Sequence, residues 1–400
     1  MKIVDVKTFV VGNPSPHHGG LNWVFLKLVA DDGVVGFGEA YAIPFNPRAV
    51  VHLIENVGER FFIGADPFKI ERLWRRVYSS GYDMHPDLTK MGVLSAFEMA
   101  CWDIIGKELD QPIYNLLGGQ FHERLRSYTY LYPARSNRDE FRLFDVFSVA
   151  EIAAERAAEY VRQGFTAVKF DPIGTMSEDD PIQVSLEVLH KAEAVVKCVR
   201  EAVGDRCDIL IGTHGQMVTS SAIRWAKRIE KYDPLWLEEP VPPENRDEMA
   251  RVARSTSIPI ASGERLSTKY EFRECLEKQA VQVLQMALGR VGGILEAKKI
   301  AGMAEAYYAQ IAPHLFCGPI EAAANIQIDA CSPNFLIQES IETFGDLYTR
   351  ILKEPIQWQD GYIIPPTKPG LGIELNEEVM AKHPYIDIPE RRVSIPMGVQ

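Results

Sequence analysis

The chain has 400 residues, 46% of them hydrophobic, and a formal net charge of −12. That length can bury one large core or two unequal ones. The acidic balance, without clustered Lys and Arg, speaks against a nucleic-acid partner, and no window approaches the ~20 apolar residues of a membrane span. The opening "MKIVDVKTFVVG" lacks the apolar stretch of a signal peptide, so a soluble cytoplasmic protein is expected. Six cysteines lie far apart with no CxxC pair, which reads as reduced, packed thiols.

In chain order, "MKIVDVKTFVVG", "NWVFLKLVADDG" and "VVGFGEAY" alternate like antiparallel strands. Asp31-Asp32-Gly33 marks a hairpin, because glycine supplies the positive φ of a tight turn. The intervening "NPSPHHGGL" is too rich in Gly and Pro to be regular. Helical spacing follows in "PRAVVHLIENVGERFFIG", "DPFKIERLWRRVYSSG" and "GVLSAFEMACWDIIGKEL". Strands followed by helices predict an α+β domain over residues 1–124.

From Leu125 the rhythm changes. "RSYTYLY", "FTAVKFD", "DILIG", "PLWLEEP", "IPIASGE", "AVQVLQMA", "AQIAPH" and "FLIQES" alternate with amphipathic helices, the last helix being the least distinct. This pattern predicts a parallel β/α barrel over residues 125–360, with a doubly wound open sheet as the alternative. The Pro/Gly-rich segment 361–400 is expected to cross back onto the first domain.

Barrel active sites form at the C-terminal ends of the strands. Those ends carry Lys169 and Asp171, Gly212 and His214, Glu238, Glu264, Ala287, His314 and Glu339. Gly212, Glu238 and Glu264 are spaced by 26 and 26 residues, and the next intervals are 23, 27 and 25. One βα unit per interval sets these positions around one mouth. Glu238 and Glu264, with a lysine and two histidines in register, suit a hard cation such as Mg²⁺.

With these residues in place, the chain resembles the enolase superfamily, in its mandelate racemase/muconate lactonizing enzyme branch, and most closely the acid-sugar dehydratases. "GVVGFGEAY", "AFEMACWDIIGKELDQPIYNLLGG", "WLEEPVPPEN", "IPIASGERL", "VGGILEAKKIAGMAEAY", "APHLFCGPI" and "PGLGIELN" carry the likeness over nearly the whole chain. It implies an α+β capping domain, completed by the C-terminal tail, over a modified β/α barrel. It also implies one Mg²⁺ held by carboxylates of the third, fourth and fifth strands.

Glu238 and Glu264 match two of those ligands, and neighbouring Glu239 should face away from the mouth. The third, normally Asp, falls on Gly212. Asp208 stands at the start of that strand, too far back to replace it. Asp171 shares a strand face with Lys169 and is assigned as the substitute ligand; water in the gap, or no tight metal site, are the alternatives. The resemblance makes His314 the base that removes the proton α to a carboxylate. It makes His214 the acid for the departing hydroxyl, Glu339 a substrate hydrogen-bonding residue and Lys169 a second base or cation. The Asp that normally pairs with the histidine matching His314 is replaced by Ala287. Lys169 then competes for the role of base, with its pKa lowered by burial and by the metal.

Substrate recognition is assigned to Trp23 of the loop "NPSPHHGGLNW" and to Arg265 of "GER", with "YDMHPDLTKMG", containing His85 and Lys90, as a second cover. The implied activity is dehydration of an aldonic or aldaric acid to a 2-keto-3-deoxy acid, by a homo-oligomer. A racemase, epimerase or cycloisomerase of the same superfamily, or a non-catalytic acid-sugar-binding homologue, are the competing readings.

Overall fold

The computed structural model describes residues 1–41, 46–133, 145–174, 177 and 179–387; the end of the tail, 388–400, lies outside them. Strands β1 (Ile3–Gly12), β2 (Asn22–Ala30) and β3 (Val35–Ala40) form an antiparallel sheet in that order. The turn between β2 and β3 has Gly33 at φ +89°. Helices α1 (Arg48–Val57), α2 (Ile70–Tyr78) and α3 (Leu88–Glu108) follow.

Asp87 caps α3 by accepting from the Lys90 N–H at 2.6 Å. The "GFG" of β3 lets α3 lie directly on the sheet. A Cβ at Gly36 or Gly38 would fall 2.1 Å from the Ala100 carbonyl or 1.8 Å from that of Ala96.

Eight parallel strands form the barrel: β4 (Leu125–Tyr130), β5 (Ala167–Phe170), β6 (Asp208–Gly212), β7 (Trp236–Glu238), β8 (Ile260–Ser262), β9 (Val283–Leu284), β10 (Gln310–Ile311) and β11 (Gln338–Ser340). β11 pairs with β4, and a bridge from Ile311 to Phe335 closes the remaining gap. The open-sheet alternative is thereby set aside. The final helix shrinks to the single turn Leu347–Arg350.

Each stave gives one side chain to a buried layer: Tyr128, Ala167, Leu210, Trp236, Ala261, Val283, Ala312 and Ile337. Because strand side chains alternate, residues two or four further along also face inward, now at the mouth. That register selects Tyr130, Lys169, Asp171, Gly212, His214, Glu238, Gln285, His314 and Glu339. Glu264 lies three beyond Ala261, and the chain makes up the difference at Gly263, at φ +146°.

Two buried glutamates of the first domain dock it on the barrel. Glu98 accepts from Ile294 N (2.6 Å) and Leu295 N (2.9 Å) at the start of helix Ile294–Ala306. Glu39 accepts from Gly318 N (2.6 Å) and Glu321 N (3.0 Å) at the start of helix Pro319–Ala330. Carboxyl oxygens there accept from N–H groups that have no intrahelical partner.

The tail first makes a hairpin, β12 (Gln357–Gln359) and β13 (Tyr362–Ile364), whose second strand pairs antiparallel with β4. It then reaches the first domain. Leu371 N donates to Asp103 at 2.9 Å, Gly12 N to the His383 carbonyl at 2.9 Å, and Ile386 N to Asn22 at 2.9 Å.

Candidate active site

Lys169 is fully buried at the centre of the mouth. Its ammonium lies 2.5 Å from Glu238 Oε1, 3.7 Å from Glu339 Oε1 and 4.8 Å from the centre of the Tyr130 ring. Burial alone would depress its pKa, but Glu238, Glu339 and Glu264 reverse the effect and hold it well above the usual lysine value. Burial was expected to depress this amine, but the three carboxylates around it outweigh burial. The other oxygen of Glu238 accepts from Trp236 Nε1 (3.1 Å) and Gln285 Nε2 (2.7 Å), so its orientation is fixed.

At the seventh stave, His314 Nδ1 lies 3.0 Å from Glu339 Oε2 and 3.3 Å from Glu264 Oε2. These are ion-pair contacts off the hydrogen-bond line. Burial disfavours the charged ring, but the two carboxylates outweigh it and raise the pKa above the usual histidine value. Glu339 and Glu264 are thus the carboxylates that stand against this ring, where Ala287 offers none. Burial would raise Glu339, but Lys169 and His314 reverse this and hold it low, and Leu315 N donates to it at 2.8 Å. From the capping domain, the Tyr41 hydroxyl comes within 3.4 Å of His314 Nε2, its ring covered by the Arg290 guanidinium at 3.5 Å.

At the third stave, Asp171 answers the question that Gly212 poses. A Cβ on Gly212 would fall 1.9 Å from Asp171 Oδ1. The Tyr130 hydroxyl donates to both Asp171 oxygens, at 3.2 and 3.1 Å, and His214 Nδ1 lies 3.4 Å from Oδ2. Burial pushes the Asp171 carboxyl up to about 7 and the His214 imidazole down to about 4. A neutral imidazole is a lone-pair donor rather than a ready proton donor. His214, Glu238 and Glu264 each offer a ligand atom within 4.8 Å of the others, all three residues being buried. Asp171 stands outside that trio.

Two residues assigned to the substrate are committed elsewhere. Trp23 is 2% exposed, donates to the Gly19 carbonyl at 2.8 Å and packs edge-on against Tyr348. Within its loop, His18 stacks on Tyr132, just past β4, at 3.9 Å. Arg265 pairs with Glu239 Oε2 at 2.6 Å and donates to the His214 carbonyl at 3.0 Å, so it holds the third-stave loop. Glu239 is occupied by Arg265 and Ser262, apart from the metal-type trio. In the second cover, Lys90, in the first turn of α3, pairs with Asp83, and His85 contacts the Pro86 carbonyl. Tyr130 and Gln285 were legible from the inward register; Tyr41, from the other domain, carried no such signal.

A capping domain over a β/α barrel, with buried carboxylates, two imidazoles and an ammonium at the mouth, defines a class of barrel enzymes whose site gathers proton-transfer and metal-type groups. Residues 152–379 match the enolase C-terminal domain-like family, and residues 8–118 the mandelate racemase/muconate lactonizing enzyme N-terminal domain. The D-gluconate/D-galactonate dehydratase of Picrophilus torridus is 33% identical, over 100% of this chain and 98% of its own. The D-xylonate dehydratase of Haloferax volcanii is 34% identical, over 96% and 89%. A solved mandelate racemase/muconate lactonizing enzyme structure from a Sulfitobacter species shares 46% identity, covering 100% of this chain and 99% of its own with a TM-score of 0.94. The chain is an enzyme of the mandelate racemase/muconate lactonizing enzyme family of the enolase superfamily.

Proposed function

We propose that the protein dehydrates an aldonic or aldaric acid to a 2-keto-3-deoxy acid. The observation that carries this reading is His314, held by Glu339 and Glu264 beside the cationic Lys169. The length-wide likeness to sugar-acid dehydratases supports it. The trio His214, Glu238 and Glu264 has the charge for a divalent cation, and Mg²⁺, favoured by the two carboxylates and by its abundance, is the cation proposed. When bound, it would supply positive charge to a substrate carboxylate whose α-proton is being removed.

The α-proton of a carboxylate is weakly acidic, so its removal needs a well-oriented base and nearby positive charge. His314 takes the proton, and Glu339 and Glu264 stabilise the imidazolium. The C–H electron pair moves into the carboxylate, where the Lys169 ammonium opposes the growing negative charge. Its return forms the C2–C3 double bond and breaks the C3–O bond. The proton on His314 passes to the departing hydroxyl, so water leaves and the enol tautomerises to the 2-keto acid. This route gives His314 both proton transfers, in place of the acid role expected of His214.

Racemisation would need a second base on the opposite face of the α-carbon. The three carboxylates around Lys169 disfavour it in that role. A library of acid sugars incubated with the protein and Mg²⁺, assayed with a carbonyl reagent, tests the proposal. At least one acid should give a 2-keto acid. An isomer that retains all atoms would move the enzyme to the racemase reading, and no turnover of any acid would favour the binding-only one.

A further inference from the structure

We infer that His214 is itself a metal ligand, oriented by Asp171, and that the two together replace the carboxylate missing at position 212. The inference rests on a divalent cation at Glu238 and Glu264, as proposed above, but not on dehydration. Gly212 is paired in register with Glu238 across β6 and β7, so a side chain there would stand beside that glutamate. No side chain fits: its Cβ would lie 1.9 Å from Asp171 Oδ1 and 3.0 Å from the Tyr130 hydroxyl. Asp171 and a residue larger than glycine at 212 exclude each other in this arrangement. The carboxylate has moved one stave over.

In its new place Asp171 is turned to Tyr130 and His214, while His214 is the residue within ligand reach of both glutamates. Asp171 Oδ2 lies 3.4 Å from His214 Nδ1, and a carboxylate beside the ring is the usual company of a metal-bound histidine. The backbone supports the same role. His214 sits at φ +47°, a left-handed conformation costly for a residue with a Cβ. It is held there by Arg265 on its own carbonyl, by Gly215 N donating to the Glu239 carbonyl at 2.7 Å, and by Thr213 Oγ1 donating to the Glu238 and Glu239 carbonyls at 2.8 and 2.9 Å. Strain maintained by this many bonds marks a side chain whose placement matters.

The resulting donor set is one imidazole nitrogen and two carboxylates. Mg²⁺ prefers oxygen alone, whereas imidazole suits transition-metal ions. The protein should therefore bind Mn²⁺ more tightly than Mg²⁺.

The test is Mn²⁺ binding to the metal-stripped full chain without substrate, read by electron paramagnetic resonance with pulsed detection of nitrogen coupling. Wild type should show imidazole coupling, and so should His314→Asn. His214→Gln should lose the coupling. Asp171→Asn should keep it while binding Mn²⁺ about 10- to 100-fold more weakly. Circular dichroism establishes that each variant is folded, and Asp171→Gly/Gly212→Asp should recover affinity lost in Asp171→Gly alone. Mn²⁺ bound by wild type without nitrogen coupling would overturn the inference. So would coupling that survives in His214→Gln, or wild type that binds no Mn²⁺. Because no substrate is present, a failed sugar screen leaves this result standing, and a failure here leaves dehydration open.

Discussion

Glu39 and Glu98, where the two domains meet, are as buried as Glu238 and Glu339 at the barrel mouth, yet they sit in different company. The junction glutamates face backbone N–H groups at helix starts. Burial dominates there and pushes both carboxyls up to about 8. The mouth glutamates face an ammonium and imidazoles, which hold Glu264 and Glu339 below the usual carboxylate range despite burial. Backbone partners fix where chain segments go, whereas ionisable partners fix where charge and protons go. The first set should govern stability and the second turnover.

The largest expected effect separates the two sets. His314→Asn should lower kcat by ~10³-fold or more, because it removes the base. It should also abolish exchange of the substrate α-proton in D₂O, while its urea midpoint stays closer to wild type than that of Glu98→Ala. Full exchange in this variant would remove His314 from the role of base. Glu98→Ala is the converse. It leaves Ile294 N, Leu295 N and Trp102 Nε1 without their acceptor. At ~1–3 kcal/mol for each unsatisfied buried donor, a loss of ~3 kcal/mol or more is expected in urea unfolding. The folded variant should keep its kcat; a catalytic loss without a stability loss would break the division.

The junction also predicts a pH dependence. A carboxyl at 4.5 when unfolded and about 8 when folded holds its proton longer in the native state. The native state then binds more protons, so its contribution is complete below pH 4.5 and is lost as pH rises through about 8. Unfolding free energy should fall between those limits, and Glu98→Gln should flatten part of the slope. An unchanged slope in urea titrations across this range would remove Glu98 as its source.

The mouth was largely legible in the sequence because strand period and βα spacing are geometric. Lys169, Glu238, His314 and Glu339 each follow a layer residue by two. What stayed hidden depends on contacts between staves and between domains. Asp171 occupying the space of Gly212 is a lateral packing event that neither strand reveals alone. Arg265 was assigned to the substrate from its place in "GER", but its guanidinium pairs with Glu239 at 2.6 Å, a contact between staves. Trp23, read both as the end of the loop "NPSPHHGGLNW" and as part of the strand "NWVFLKLVADDG", lies in β2 and packs inward there.

Tyr41 crosses the division between the two sets and tests it most finely. It follows Glu39 by two residues, at the end of the strand that docks the capping domain, yet its hydroxyl meets His314 Nε2 at 3.4 Å. If the capping domain contributes to chemistry through this contact, Tyr41→Phe should leave the urea midpoint unchanged. It should lower kcat by about fivefold, the equivalent of a ~1 kcal/mol hydrogen bond. KM should change less than kcat, since the ring and its stacking on Arg290 remain. A hundredfold loss would make the hydroxyl a participant in proton transfer, whereas a stability loss with full kcat would return Tyr41 to the junction. The fivefold outcome would mean that docking the capping domain also orients the base.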